Sequence, residues 1–182
     1  MSIKSSYTIF PTCRLREIIK WVAEAVSIDP DRDAMRGVLI ERDDDGVRMV
    51  GTDGRRLNLS EINAQEAADL PPAGVYDVRP LPGGDYILTP KDVTYPNWRA
   101  VIREKSTYRS EAVVRLKDGD GAIENSMLRI YKLAGAMVQQ RFVDAIVFLG
   151  PWSMEYEDCQ STLIFRNGNG QTAVIMPLRN GG

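Results

Sequence analysis

The chain has no histidine among its 182 residues and only two cysteines, Cys13 and Cys159. Histidine is the side chain that most often transfers protons near neutral pH and most often binds zinc, so its absence argues against many enzyme classes. Two cysteines without metal-type spacing form neither a disulfide framework nor a thiolate zinc site. The composition therefore predicts a protein that is not an enzyme and that needs no cofactor and no metal.

Long apolar runs and a large excess of charge are missing as well. No segment approaches the ~18 consecutive apolar residues of a membrane span, and no apolar run follows a basic start. We therefore predict a cytoplasmic protein with no membrane partner. The 23 basic and 25 acidic residues nearly cancel, leaving a net charge of −2. A chain balanced in this way has no general affinity for a polyanion, so contact with DNA requires basic residues gathered on one face.

Two segments have apolar residues at the spacing of an amphipathic helix. The first is Cys13–Ser27, with Thr12 placed to cap its N-terminus. The second is approximately Ala134–Leu149, where Gly150 and Pro151 would end the helix. The sequence thus predicts one helix in each half of the chain.

Short runs with apolar side chains at alternate positions precede and follow both helices, a pattern typical of β-strands. The predicted strands are Tyr7–Phe10, Val38–Ile40, Val47–Thr52, Leu57–Leu59, Val75–Val78, Tyr86–Thr89, Ala112–Leu116, Met127–Tyr131, Ser153–Glu157, Thr162–Arg166 and Thr172–Leu178. The Asn-Gly pairs of Asn167–Gly170 are a strong signal for a hairpin. Because the order of strand, helix and several strands occurs twice, we predict an α+β fold of two similar halves.

The length and the distribution of proline predict how these elements are organised. At the usual ~100 to 200 residues per domain, the chain fits one domain. Prolines and glycines between Asn63 and Gly84 interrupt regular structure and predict a connector on the surface. We therefore predict a single domain over residues 1–182, with a first half of about 1–65, a connector of about 66–109 and a second half of about 110–182.

Three short segments combine a turn or a proline with apolar side chains and arginine. They are TDGRRL at Thr52–Leu57, YPNWRAVI at Tyr95–Ile102 and VIMPLR at Val174–Arg179. Asp53 and Gly54 supply a tight turn in the first segment, since aspartate caps turns and glycine accepts positive φ. Taken singly, the segments read as a β-turn, a packed loop and a core strand. Together they have the composition of a groove that docks a peptide.

In this order, the three segments resemble those of the bacterial DNA polymerase III beta subunit, the beta sliding clamp, where they converge on one protein-binding pocket. The resemblance implies the DNA-clamp fold, in which two strand-helix-strands halves form two antiparallel sheets with both helices on one face. It also implies a peptide-binding pocket. The pocket residues would be Met35, Thr52, Gly54, Arg55, Arg56, Leu57, Pro96, Val101, Val174, Ile175, Met176, Pro177, Leu178 and Arg179.

The resemblance implies a part in DNA replication: capture of the clamp-binding peptides of DNA polymerase, clamp loader or repair proteins. Six such domains close a ring around DNA in the family, and this chain has room for about one. It would therefore act as a processivity factor only as a homo-oligomer of several copies. So compact an arrangement suits a phage or mobile-element gene. The alternative is a non-ring binding module, or decoy, that engages clamp-binding partners without encircling DNA.

Basic residues on or next to the predicted helices are candidates for sequence-independent contact with duplex DNA. These residues are Arg14, Arg16, Lys20, Lys132 and Arg141. A solvated helix face explains each of them equally well. The acidic loop Asp29–Arg36 stands where clamps often contact DNA, and it favours the decoy alternative.

Overall fold

The computed structural model describes residues 5–44, 46–102, 110–114, 122–147 and 151–178. The chain divides into two compact units, Met1–Pro96 and Asn97–Gly182. Each unit contains an antiparallel sheet and at least one helix, which confirms the predicted α+β class. The division into one domain with two halves and a connector stays a prediction.

The first unit is built on a six-stranded sheet. Its elements are β1 (Tyr7–Ile9), α1 (Cys13–Ala23), a 3₁₀ turn (Asp33–Arg36), β2 (Val38–Asp43), β3 (Gly46–Thr52), β4 (Arg56–Ile62), β5 (Gly74–Pro80) and β6 (Tyr86–Lys91). The strands lie in the order β1-β6-β5-β2-β3-β4. Both β5 and β6 come from the segment predicted as a connector, where short strands were expected.

Helix α1 packs closely on this sheet. As predicted, Thr12 caps it, and the Thr12 Oγ1 accepts a hydrogen bond from the Leu15 backbone N–H at 3.3 Å. A Cβ at Gly51 would lie 2.1 Å from the Val22 carbonyl oxygen, so only glycine permits this approach of β3 to the helix. The buried Asn58 side chain fixes the same contact, because its Nδ2 donates to the Trp21 carbonyl at 2.8 Å.

The second unit has a four-stranded sheet and two helices among its described residues. Its elements are a 3₁₀ turn (Trp98–Val101), β7 (Ser110–Val114), α2 (Ala122–Ala134), α3 (Gln140–Val147), β8 (Trp152–Tyr156), β9 (Leu163–Arg166) and β10 (Gln171–Ile175). The strands lie in the order β10-β9-β8-β7. The predicted C-terminal strands are therefore present, although β10 ends before Met176.

The helices of the second unit differ from the prediction. Met127–Tyr131, predicted as a strand, is helical, and the second predicted helix begins at Gln140 rather than Ala134. The buried side chains of Ser126, Ile130 and Ala134 recur every four residues, which is a helical period. The expectation of one helix per half was wrong, because a run of five residues cannot distinguish the two periods. The last two residues of the predicted strand Ala112–Leu116 lie outside the described residues.

Candidate peptide-binding site

The turn at residues 52–57 of the first unit is held by its own side chains. The Asp53 Oδ1 accepts hydrogen bonds from the Arg55 and Arg56 backbone N–H groups at 2.8 and 3.0 Å. The Thr52 hydroxyl donates to the Arg56 carbonyl at 2.7 Å and accepts from the Gly54 N–H at 3.1 Å. Gly54 has φ +84°, the left-handed conformation expected of it. The predicted turn chemistry is confirmed, and it makes this segment a pre-ordered surface.

Arg32 and Met35 cover this turn from the loop after α1. The Arg32 Nη1 donates to the Asp53 carbonyl at 2.8 Å. A Cβ at Gly54 would lie 2.8 Å from that Nη1 and 3.6 Å from the Met35 sulfur. Met35 is therefore next to Gly54, as the resemblance implied. Arg32 is an addition that the sequence did not reveal, because its contact joins residues 21 positions apart.

The three side chains that follow the turn differ in accessibility. Arg55 is exposed and free to meet a ligand from solvent. The Arg56 side chain is only 14% exposed, and its guanidinium binds the Glu24 carbonyl and lies 3.4 Å from the Asp53 carboxylate. Leu57 is 2% exposed and belongs to the core of the unit. Of these three predicted pocket residues, Arg55 alone presents its side chain to solvent.

The second predicted segment spans the boundary between the two units. In the first unit, the Tyr95 hydroxyl donates to the Val50 carbonyl at 3.1 Å, and burial raises the pKa of its phenol far above the ordinary value. Pro96 is exposed. In the second unit Trp98 is buried and Val101 is half-buried. The two aromatic residues thus anchor the backbone, each in its own unit, and Pro96 remains accessible.

The C-terminal segment changes from core to surface within three residues. Val174 and Ile175 are buried in β10, where they pair with Ile164 and Leu163 of β9. Met176 is 38% exposed and Leu178 is 41% exposed. Arg179 lies outside the described residues. Only the last part of this segment can therefore contact a ligand with its side chains.

A groove of about 560 Å³ runs beside the exposed end of this segment, within the second unit. Its lining residues are Tyr131, Gly135, Met137, Cys159, Gln160, Pro177 and Leu178. The Leu178 N–H donates to the Met137 carbonyl at 2.7 Å, which fixes the C-terminal segment along one wall. None of these seven described lining residues carries a side chain with a formal charge at neutral pH.

The structure thus brings the predicted residues together within each unit. Met35 and Gly54 are neighbours in the first unit, and Pro177 and Leu178 share the groove in the second. The convergence of all three segments on one pocket stays a prediction. Four lining residues were not predicted from the sequence: Tyr131, Met137, Cys159 and Gln160. A predicted helix over residues 122–134 would have placed Tyr131 on its exposed face.

The predicted DNA-facing residues of α1 are not equally available. Arg14 pairs with Glu66 at 3.0 Å. Arg16 is half-buried, with its guanidinium against the backbone of Gly84. Lys20 is exposed on the same helix. Of the three, only Lys20 is both exposed and without an ion pair among those the structure shows in the described residues.

Two further candidates lie in the second unit. Lys132 is exposed on the last turn of α2. Arg141 is exposed on α3, where its Nε donates to the Gln139 side chain at 2.9 Å and its guanidinium carbon lies 4.8 Å above the Phe142 ring. Both side chains reach solvent and can approach a phosphate. Among the described residues, none of the helices has the length and hydropathy of a membrane-spanning helix.

No protein-family model matches the sequence, and no curated protein matches it. Solved structures of bacterial sliding clamps do resemble it in fold. The Thermotoga maritima DNA polymerase III beta subunit is 17% identical with a TM-score of 0.63, and the match covers 100% of this chain and 67% of that one. The C. crescentus beta sliding clamp is 17% identical with a TM-score of 0.68, covering 98% of this chain and 67% of its own.

The clamp of Bartonella birtlesii, solved bound to griselimycin, is 14% identical with a TM-score of 0.67 and covers 98% of this chain and 67% of its own. At these identities the similarity shows the fold. The chain therefore has the DNA-clamp fold that the three segments implied, and the match spans about two thirds of each of these clamps.

Proposed function

We propose that this protein is a sliding-clamp-like protein that binds the short clamp-binding peptides of DNA polymerases, clamp loaders or repair factors in the cytoplasm. The observation that carries the proposal is the groove beside Pro177 and Leu178, two residues that the clamp resemblance assigns to a peptide pocket; the described lining side chains of this groove are uncharged. The clamp fold supports it independently. The proposed activity is non-covalent binding of a peptide, in which no covalent bond is formed or broken.

Three exposed side chains of an otherwise largely polar groove offer contacts to apolar anchor side chains of a peptide. Tyr131 is 55% exposed, Met137 is 53% exposed and Leu178 is 41% exposed, so all three still contact water. An inserted aliphatic or aromatic side chain removes this apolar area from water, which contributes roughly 25 cal/mol per Å². Met137 can adjust to anchors of different shape because its thioether chain is unbranched. Griselimycin, with which the Bartonella clamp was solved, is a defined probe for testing the proposal.

The turn at residues 52–57 is a second proposed peptide-contacting surface, within the first unit. Its backbone is already ordered by Thr52 and Asp53, so little conformational entropy remains to be lost on binding. The exposed Arg55 and the Arg32 guanidinium offer donors to peptide carbonyl or carboxylate groups.

Isothermal titration with griselimycin and with a synthetic clamp-binding peptide of a bacterial replicative polymerase tests the proposal. The informative variant is Leu178→Asp, which places a charge in the groove at a position that is already 41% exposed. We expect at least a tenfold loss of affinity, or about 1.4 kcal/mol. The matched control is Phe10→Ser, an exposed apolar site in the first unit. Unchanged affinity in a folded Leu178→Asp protein, or no binding by the wild type, would refute the peptide site.

Encirclement of DNA is the second part of the proposal and requires several copies. β1 and β7 are edge strands of the sheets in their own units, and unpaired edge groups can pair with another copy. Light scattering tests this part: a discrete trimer or hexamer retained on circular DNA supports a ring.

The decoy alternative is favoured by the exposed face of α1. Arg14, Glu17, Lys20 and Glu24 are all exposed there and their charges cancel. A face without net charge releases few counterions from DNA, so it supplies little affinity. Peptide binding by a protein that shows no retention on circular DNA would select this alternative.

A further inference from the structure

The hairpin between β9 and β10 contains two consecutive asparagine-glycine pairs. Its loop runs from Asn167 to Gly170, and the Asn167 N–H closes it by donating to the Gln171 carbonyl at 3.1 Å. An asparagine followed by glycine is prone to deamidation, because glycine has no Cβ to shield its backbone nitrogen and restricts the backbone least. The two pairs share one loop, so a difference in their reactivity must come from the contacts around each asparagine.

The first asparagine of the loop is held by three hydrogen bonds of its side chain. The Asn167 Oδ1 accepts from the backbone N–H groups of Asn169 and Gln171 at 3.0 and 3.1 Å. Its Nδ2 donates to the Gln171 Oε1 at 2.6 Å, and the residue is half-buried. To react, the Asn167 Cγ must turn toward the nitrogen of Gly168 and give up these bonds. The fold therefore protects Asn167.

The second asparagine has no such restraint. Asn169 is exposed, and its side-chain amide makes none of the hydrogen bonds that the structure shows in the described residues. The backbone N–H of Gly170, the group that would attack it, is likewise not a donor in any hydrogen bond shown for the described part of the chain. Both reacting groups of this pair are thus available.

We propose that Asn169 is a site of spontaneous deamidation and that Asn167 is spared. The Gly170 nitrogen attacks the Asn169 Cγ and forms a cyclic succinimide. The bond from Cγ to Nδ2 breaks, and the side-chain nitrogen leaves as ammonia with the proton of the Gly170 amide. One water molecule then opens the ring at either carbonyl, which gives aspartate or isoaspartate.

The products change the hairpin in two ways. Both add one negative charge to the loop, and isoaspartate also routes the backbone through the former side chain, which lengthens the loop. Because turn type and loop length set the register of a hairpin, the pairs next to the loop are disturbed first. Arg166 pairs there with Thr172, and the Arg166 Nη1 donates to the Thr172 hydroxyl at 3.3 Å. Deamidation would therefore loosen this hairpin with age, whether or not the protein binds a peptide.

A related pair in the first unit provides a comparison. Aspartate followed by glycine cyclises by the same attack, with loss of water instead of ammonia. At Asp53, however, the Oδ1 accepts from the Arg55 and Arg56 N–H groups, and the Gly54 N–H donates to the Thr52 hydroxyl at 3.1 Å. Both reacting groups are engaged, so we expect this pair to be protected as Asn167 is.

Peptide mapping by mass spectrometry tests the site after the full chain is incubated at mildly alkaline pH. Trypsin cleaves after Arg166 and Arg179, so both asparagines stay in one peptide and fragmentation assigns the mass gain to one of them. We expect Asn169 to deamidate at least about tenfold faster than Asn167, which must break hydrogen bonds to react. Equal rates, faster reaction at Asn167, or no reaction at Asn169 overturns the inference.

Two controls separate the fold from the local sequence. In concentrated urea the hydrogen bonds of the loop are lost, so both asparagines should react at similar rates; the same preference in urea would overturn the structural argument. Gln171→Ala removes the acceptor of the Asn167 Nδ2. This variant should raise the rate at Asn167 in the folded protein and leave the rate at Asn169 unchanged. An Asn167 rate equal to that of the wild type contradicts the proposed protection.

Hydrogen exchange tests the consequence for the hairpin. Deamidated protein is separated from unmodified protein by ion exchange, and its isoaspartate is detected by an isoaspartate-specific methyltransferase. We expect loss of protection in β9 and β10 of the isoaspartate form, with unchanged protection in β3 and β4 of the first unit. Equal protection of β9 and β10 in both forms refutes the loosening of the hairpin.

Discussion

Substitution of Gly54 by alanine tests whether the turn at residues 52–57 is a rigid part of the site. Gly54 has φ +84°, and an alanine forced into the left-handed region costs roughly 1–2 kcal/mol. The added Cβ would also lie 2.8 Å from the Arg32 Nη1. Arg32 must then move away from the Asp53 carbonyl that it contacts at 2.8 Å, and a typical hydrogen bond contributes about 0.5–1.5 kcal/mol. We therefore expect Gly54→Ala to destabilise the chain by about 2 kcal/mol.

Urea unfolding followed by circular dichroism measures the total effect, and hydrogen exchange of peptides containing residues 52–57 locates it. The control is Gly168→Ala, because no atom lies within 4 Å of a Cβ at that position. The control should be neutral or stabilising by up to about 1 kcal/mol, the usual effect of replacing an unstrained glycine. Equal stability and equal exchange in Gly54→Ala and wild type would refute the reasoning about the turn.

Three further predictions concern the first unit. Gly51→Ala should destabilise it by about 1–3 kcal/mol in urea unfolding, since the new Cβ would lie 2.1 Å from the Val22 carbonyl. A variant with the same urea midpoint as the wild type would contradict the close contact between β3 and α1. Leu57→Ala should cost about 2–5 kcal/mol of stability, because the side chain is 2% exposed, and retained stability would show that it is not core. The hydrogen bond from Lys91 holds the pKa of Asp33 below its ordinary 3.8. The Asp33–Lys91 pair therefore stabilises the fold above pH 3.8, and this stabilisation is lost as the pH falls through the lower folded-state pKa. Asp33→Asn should reduce the change in urea midpoint between neutral and acidic pH. The same pH dependence in the variant and the wild type would show that the Asp33–Lys91 pair does not stabilise the fold.

Local chemistry made much of the first unit predictable. Thr12 was recognisable as a cap, and Asp53 and Gly54 were recognisable as a turn, because each acts on backbone within three residues of itself. The role of Arg56 was not recognisable in this way. It reads as a displayed arginine beside a turn, yet its guanidinium binds the Glu24 carbonyl, 32 residues earlier in the chain. Contacts of that range depend on the packing of α1 against the sheet, which no short segment encodes.

The groove could not be predicted from the sequence for the same reason. Its walls come from residues 131–137, 159–160 and 177–178, and only the last pair belongs to a segment that resembles the clamp. The sequence pattern predicted a strand at Met127–Tyr131, which would place Tyr131 in a sheet. Tyr131 instead lies on the surface of helix α2, so it was not predicted as a groove residue. The C-terminal motif thus lies beside the groove that we propose as the site, while the shape of that groove depends on the fold.

The two proposed functions make different demands on the charges of the chain. A ring around DNA needs positive helix faces, because affinity for phosphate grows with the number of counterions released. On α1, Glu17 and Glu24 each lie three or four residues from Lys20 on the exposed face, so the helix offers little net attraction. The proposed capture of a peptide needs only the groove, whose described lining residues are uncharged, and apolar contacts there are insensitive to salt. Peptide binding can therefore persist where DNA contact is weak, and that combination is what a decoy requires.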